Sequence, residues 1–127
     1  MGMDYKYVGS CSYPRFDREL CAIVEVFGGQ KTEHLAKRFE TESERPLGYW
    51  FGSYSSDSSD ELKFVFPEGT NETLIEWFNN IYEFFDEKKT EIICDQILSH
   101  PEIEEISPQM WTEIQNLKRF NDCWNII

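Results

Sequence analysis

Residues 70–89 read TNETLIEWFNNIYEFFDEKK, and this stretch decides the fold. Leu74, Phe78, Ile81 and Phe85 fall within a narrow arc when each residue advances about 100° around an axis, the pattern of a helix with one buried face. Ile75 and Tyr82 flank that arc on one side, Trp77 and Phe84 on the other. The apolar face is therefore wider than a surface helix ordinarily carries. The spacing predicts a helix from about 71 to 88. Burying four of its large side chains contributes roughly 6–12 kcal/mol before conformational entropy is subtracted. Thr73 with Glu76 fits a capping box, with Thr70 and Asn71 as alternative caps.

Opposite the arc fall Glu72, Glu76, Glu83 and Glu87, with Asn79 and Asn80 in the gap between the two pairs. On a continuous helix the row is about 22 Å long, and no basic residue shares that side. Solvated helices commonly place Glu and Lys four apart, each pair worth about 0.2–0.5 kcal/mol, whereas like charges cost a similar amount. Here Glu faces Glu. Lys88 and Lys89 stand at the far end, where they suit the helix C-terminus. The plain interpretation is the outer face of an amphipathic helix. The sharper one is a strip kept open for a cationic partner.

Upstream of this stretch, residues 49–54 and 61–66 read as two strands joined by the polar loop 55–60, and Pro67-Glu68-Gly69 closes the β region. Residues 4–12 read as a first strand. Residues 17–27 are ambiguous: Leu20, Ile23, Val24 and Phe27 have helical spacing, with Asp17 as a cap and Gly28-Gly29 as a stop, yet CAIVEVF also reads as a buried strand. Helix is favoured. Residues 31–42 form a weaker helix candidate anchored by Leu35 and Phe39, ended by Arg45-Pro46-Leu47-Gly48. Downstream, the apolar phase slips at residues 87–90, and a short helix is expected at 90–99, ended by His100-Pro101. Ser107-Pro108 opens a last helix, cap residue then proline, with Met110, Ile114, Leu117, Phe120 and Trp124 as its stripe. The expected fold is one α+β domain, a small antiparallel sheet covered by C-terminal helices.

Charge narrows the function classes. The 127 residues carry 12 Lys+Arg against 24 Asp+Glu, a net of −12. Residues 1–60 hold seven basic and ten acidic side chains, net −3; residues 61–127 hold five and fourteen, net −9. Such a surface attracts basic partners and repels phosphate backbones and anionic lipid. Direct nucleic-acid binding and membrane binding are not expected. No apolar run is long enough to span a bilayer, and Met1-Gly2-Met3-Asp4 lacks the basic start of a secretory leader. Cys11, Cys21, Cys94 and Cys123 show neither C-x-x-C nor zinc spacing, which points to reduced thiols and a cytoplasmic location.

Catalytic equipment is sparse. His34 and His100 are the only histidines, and no motif pairs either with a nucleophile or a metal. Glu61-Leu62-Lys63, preceded by Asp57 and Asp60, has an E-x-K spacing that resembles one element of the PD-(D/E)xK nucleases. The match covers three residues without that family's frame, and the negative field opposes a nucleic-acid path. Neither an enzyme nor a cofactor or metal is expected.

Two further groups suit contact with a partner. Glu102, Glu104 and Glu105 form a second acidic cluster in the turn before the last helix. Tyr49, Trp50 and Tyr54 would leave aromatic rings beside the acids, as interface anchors do. In size, charge and lack of an active site the chain resembles bacterial immunity proteins, including those of contact-dependent growth inhibition and secretion-system pairs. The resemblance implies a tight complex with a cognate toxin domain, often a basic nuclease blocked by carboxylates. The alternative is a phage-type nucleic-acid mimic that inhibits a restriction or CRISPR system, since carboxylates one turn apart, about 6 Å, approach phosphate spacing.

Overall fold

A computed structural model describes residues 2–32 and 64–126. The chain opens with a hairpin, β1 (Gly2–Asp4) against β2 (Ser10–Ser12), in antiparallel register with Met3 opposite Cys11. The single strand expected over 4–12 is thus folded back on itself. Gly9 at φ +85° permits the reversal, and the Tyr5 N–H donates to the Gly9 carbonyl at 2.8 Å. The buried carboxylate of Glu113, distant in sequence, accepts the Lys6 and Tyr7 N–H groups at 2.7 and 2.8 Å. These donors would be orphaned in an isolated turn.

Helix α1 (Tyr13–Val26) follows at once, so residues 17–27 are helical up to Val26. The start lies upstream of the expected one because Ser12 accepts the Arg15 N–H and proline occupies the first turn. Asp17, the expected cap, is instead buried within the helix. Gly29 then lets the chain pass close between α1 and the Phe66 ring: a Cβ there would meet Phe66 at 2.6 Å and Val24 at 2.7 Å. Strand β3 (Gln30–Lys31) pairs antiparallel with β4 (Phe64–Val65), Lys31 opposite Phe64. β4 falls inside the strand expected at 61–66, and Lys31 is strand rather than the start of a helix. The candidate strand 49–54, the loop 55–60 and the rest of the 31–42 helix candidate lie outside the described residues. So do His34, Tyr49, Trp50, Tyr54, Glu61 and Lys63.

The largest departure from the sequence expectation lies in residues 70–89. Helix α2 (Glu72–Asn79) stops at Asn80, and α3 (Glu87–Leu98) begins only after a turn. Neither the single helix over 71–88 nor its straight carboxylate row exists. Tertiary partners break it. The Trp124 indole N–H donates to the Ile81 carbonyl at 2.9 Å, and the Thr90 hydroxyl donates to the Phe85 carbonyl at 3.1 Å. Both carbonyls would otherwise be used inside a continuing helix. Asn71 caps α2, not the Thr73–Glu76 box, by accepting the Thr73 and Leu74 N–H groups. Asp86 caps α3 by accepting the Lys89 N–H at 2.9 Å, which sets the start three residues before the expected one.

Glu102–Ile106 forms a short helix, α4, where a turn was expected. Helix α5 (Pro108–Arg119) begins as anticipated, with Ser107 as cap and proline behind it. Its stripe is buried at Met110, Ile114 and Leu117, but Phe120 ends the helix and is 56% exposed. Trp124, beyond the helix, returns to bridge Phe85 and meets Trp77 edge-on at 5.0 Å. Helix α5 packs on α3 and α4, α2 on α3, and α1 on α4 and β2. The fold is α+β, with two small antiparallel sheets among the described residues and packed C-terminal helices.

Candidate functional site

The α2–α3 junction gathers acids around one outward ring. Glu83, Asp86 and Glu87 are exposed, and Phe84 among them is 69% exposed. The next residue, Phe85, is 1% exposed. The turn explains the contrast. Once α2 has ended, Phe85 is drawn inward by its bridge to Trp124, and its neighbour is left pointing away from the core. Sequence periodicity had placed Phe84 on the flank of the apolar arc. Acids flank the Phe84-Phe85 pair, Glu83 before it and Asp86 after it, so no local signal separates the exposed ring from the buried one.

The four glutamates keep their exposure but not their alignment. Glu72 and Glu87 are the first residues of α2 and α3, where negative charge complements the helix dipole. Glu83 lies in the turn, its N–H donating to the Asn80 carbonyl. Glu76 is not without cationic company: Lys89 Nζ sits 3.3 Å from its Oε1 and 6.0 Å from the Phe85 ring centroid. The turn reverses the chain enough for a lysine thirteen residues on to reach back. Among the described residues, Glu72, Glu83 and Glu87 have no ion-pair partner. Asn79, expected on the solvent side of the row, is buried and bonds to Phe64 and to the Ile75 carbonyl. Glu102, Glu104 and Glu105 are exposed on a different element, α4, where His100 Nδ1 lies 3.3 Å from Glu102.

From Glu87 a groove runs between α3 and the tail of α5. Thr90, Glu91 and Cys94 form one wall, Leu117, Asn121 and Asp122 the other. Its open volume is about 100 Å³, below the roughly 300–1,000 Å³ of small-molecule pockets. Asp122 is already committed. It pairs with Lys6 at 2.7 Å and accepts the Tyr7 hydroxyl at 2.5 Å, and these bonds hold its carboxyl down to about 2. Burial pushes the Cys94 thiol up to about 12 and the Cys21 thiol up to about 11, so both are neutral and poor nucleophiles at neutral pH. Among the described residues no three His, Cys, Asp or Glu side chains converge as a metal site requires, and no helix is long and apolar enough to cross a membrane.

Among the described residues the α2–α3 junction sets exposed carboxylates around an exposed aromatic ring. The sequence reading missed Phe84, Phe120 and Glu91 as surface features and the buried Glu113 as an interior one. No protein-family model, curated protein or solved structure matches the chain.

Proposed function

We propose that this protein is an acidic binding module that neutralises a basic partner protein, in the manner of an immunity protein blocking a cognate, nuclease-type toxin in the cytoplasm. One observation carries this reading: Phe84 projects from a turn whose exposed neighbours Glu83 and Glu87 have no ion-pair partner among the described residues. An exposed aromatic ringed by charge has the composition of an interface anchor, with the ring desolvated on docking and the acids steering approach. The net charge of −12 extends that steering over the molecule. The nucleic-acid mimic is less favoured, because evenly spaced carboxylates along one axis end where α2 ends.

The reading is tested by co-expressing the chain with candidate basic toxin domains from its native host. Wild type restores growth. Glu83→Lys combined with Phe84→Ser abolishes protection, and in a binding assay the Glu83→Lys change slows association roughly tenfold, more so at low salt. Wild-type chain that neither binds nor protects, or variants that protect fully, overturn it.

A further inference from the structure

The groove beside the junction has a layered chemistry. Leu117 and Cys94 are buried at its base, whereas Glu87 and Glu91 are exposed above them, one turn apart on α3. Neither glutamate has an ion-pair partner among the described residues. The cation beside them, Lys118, is held by Asp95 instead, and Asp122 opposite is occupied by Lys6 and Tyr7. The open volume of about 100 Å³ is smaller than the ~150 Å³ cavity that takes a benzene ring. It suits the end of one side chain.

We infer that this groove receives an arginine side chain of the basic partner, which rests on the reading that the α2–α3 junction docks such a partner. The cation meets Glu87 and Glu91 at the mouth while the methylene stem lies along the groove wall beside them, the division of contacts that long basic side chains favour. Arginine fits better than lysine because its planar fork presents several donors to two carboxylates, and it is more weakly hydrated. The negative charge that attracts it opposes a second copy of this chain or an anionic lipid surface at the same place.

The isotope-labelled full chain is titrated with a short blocked peptide containing one arginine, and separately with its lysine and citrulline counterparts and with phosphatidylserine vesicles. The arginine peptide shifts the backbone resonances of Glu91, Cys94, Lys118 and Asn121 saturably. The lysine peptide binds more weakly, and citrulline, uncharged but of similar shape, leaves them unmoved. Glu91→Lys places a competing cation in the groove, one turn from Glu87 where it is well tolerated in a helix. It lowers arginine-peptide affinity about tenfold with the spectrum still that of the folded chain. Equal binding of citrulline or lysine, vesicle binding or self-association through these residues, or shifts spread evenly over all exposed carboxylates overturn the assignment. The two readings fail separately. If Phe84→Ser abolishes protection against the toxin and Glu91→Lys leaves it intact, the groove assignment falls alone; if the peptide titrates the groove and no toxin is bound, the function falls alone.

Discussion

Asn79 closes the edge of β4 at Phe64 with its own side chain. Its Oδ1 accepts the Phe64 N–H at 2.8 Å, and its Nδ2 donates to the Phe64 carbonyl at 3.4 Å and to the Ile75 carbonyl at 3.0 Å. A side-chain amide thus stands in for a neighbouring strand. It leaves no pairing groups open at this point of a sheet edge, where exposed ones invite association with another chain. It also ties the last residue of α2 to the β region, which fixes where the α2–α3 junction sits.

Asn79→Leu keeps the size of this side chain and removes every one of those bonds. The Phe64 amide and carbonyl are left without partners in a buried place, so stability falls by about 1–3 kcal/mol. Urea denaturation measures the loss as a lower midpoint. An unchanged midpoint refutes the role given to the amide.

Thr90 joins the two ends of the helical half. Its hydroxyl donates to the Phe85 carbonyl at 3.1 Å and accepts the Trp124 N–H at 2.9 Å. Thr90→Val is nearly isosteric and strands both groups, so a loss of about 1–3 kcal/mol is expected. Thr90→Ser retains the hydroxyl and remains closer to wild type. Thermal melts of the two variants separate loss of the bond from loss of packing; a valine variant that melts no lower than the serine variant overturns the role given to the hydroxyl.

These contacts show what the sequence could reveal. Local signals were legible: Ser107-Pro108 marked the start of α5, and Leu74, Phe78, Ile81 and Phe85 are all buried as their spacing requires. Continuity across 80–86 was not legible, because what ends the helix there is the indole of Trp124 and the hydroxyl of Thr90. Periodicity carries no term for a partner 43 positions away. The same limit hid the site. Exposure of Glu72, Glu76, Glu83 and Glu87 followed from their place opposite the apolar arc, but the Lys89 that reaches Glu76 and the outward turn of Phe84 follow only from the break. Asn79 and Glu113 were unreadable for a related reason: a polar residue reads as surface until its buried partners are known.

Two carboxylates that grip the N-terminal hairpin answer acid in opposite directions. Burial raises the Glu113 pKa above its usual 4.5, against the pull of the Tyr7 and Lys6 N–H donors. Folding therefore takes up a proton at Glu113, and its contribution to stability grows as pH falls from neutral through the raised pKa. Asp122, bonded by Lys6 and Tyr7, is lowered to about 2. Its contribution is complete above the ordinary value of 3.8 and is lost as pH falls toward about 2. Melting temperatures followed from neutral to strongly acid pH test both signs. Glu113→Gln removes the gain on mild acidification, and Asp122→Asn flattens the loss at lower pH. A Glu113→Gln curve parallel to wild type above 4.5 contradicts the assignment.

Adjacent phenylalanines give the sharpest separation of folding from docking. Phe85 is 1% exposed, so Phe85→Ala costs about 3–5 kcal/mol through lost burial and the cavity left behind. Phe84 is 69% exposed, and Phe84→Ala changes stability by no more than about 0.5 kcal/mol. At the proposed interface the order is expected to reverse in kind: truncating the ring of Phe84 removes the apolar group from among Glu83, Asp86 and Glu87, and costs about 2 kcal/mol or more of binding, the scale of an interface hot spot. Urea midpoints and affinity for the basic partner, measured on the same two variants, check both halves. If Phe84→Ala leaves affinity untouched, the junction is only a solvated turn.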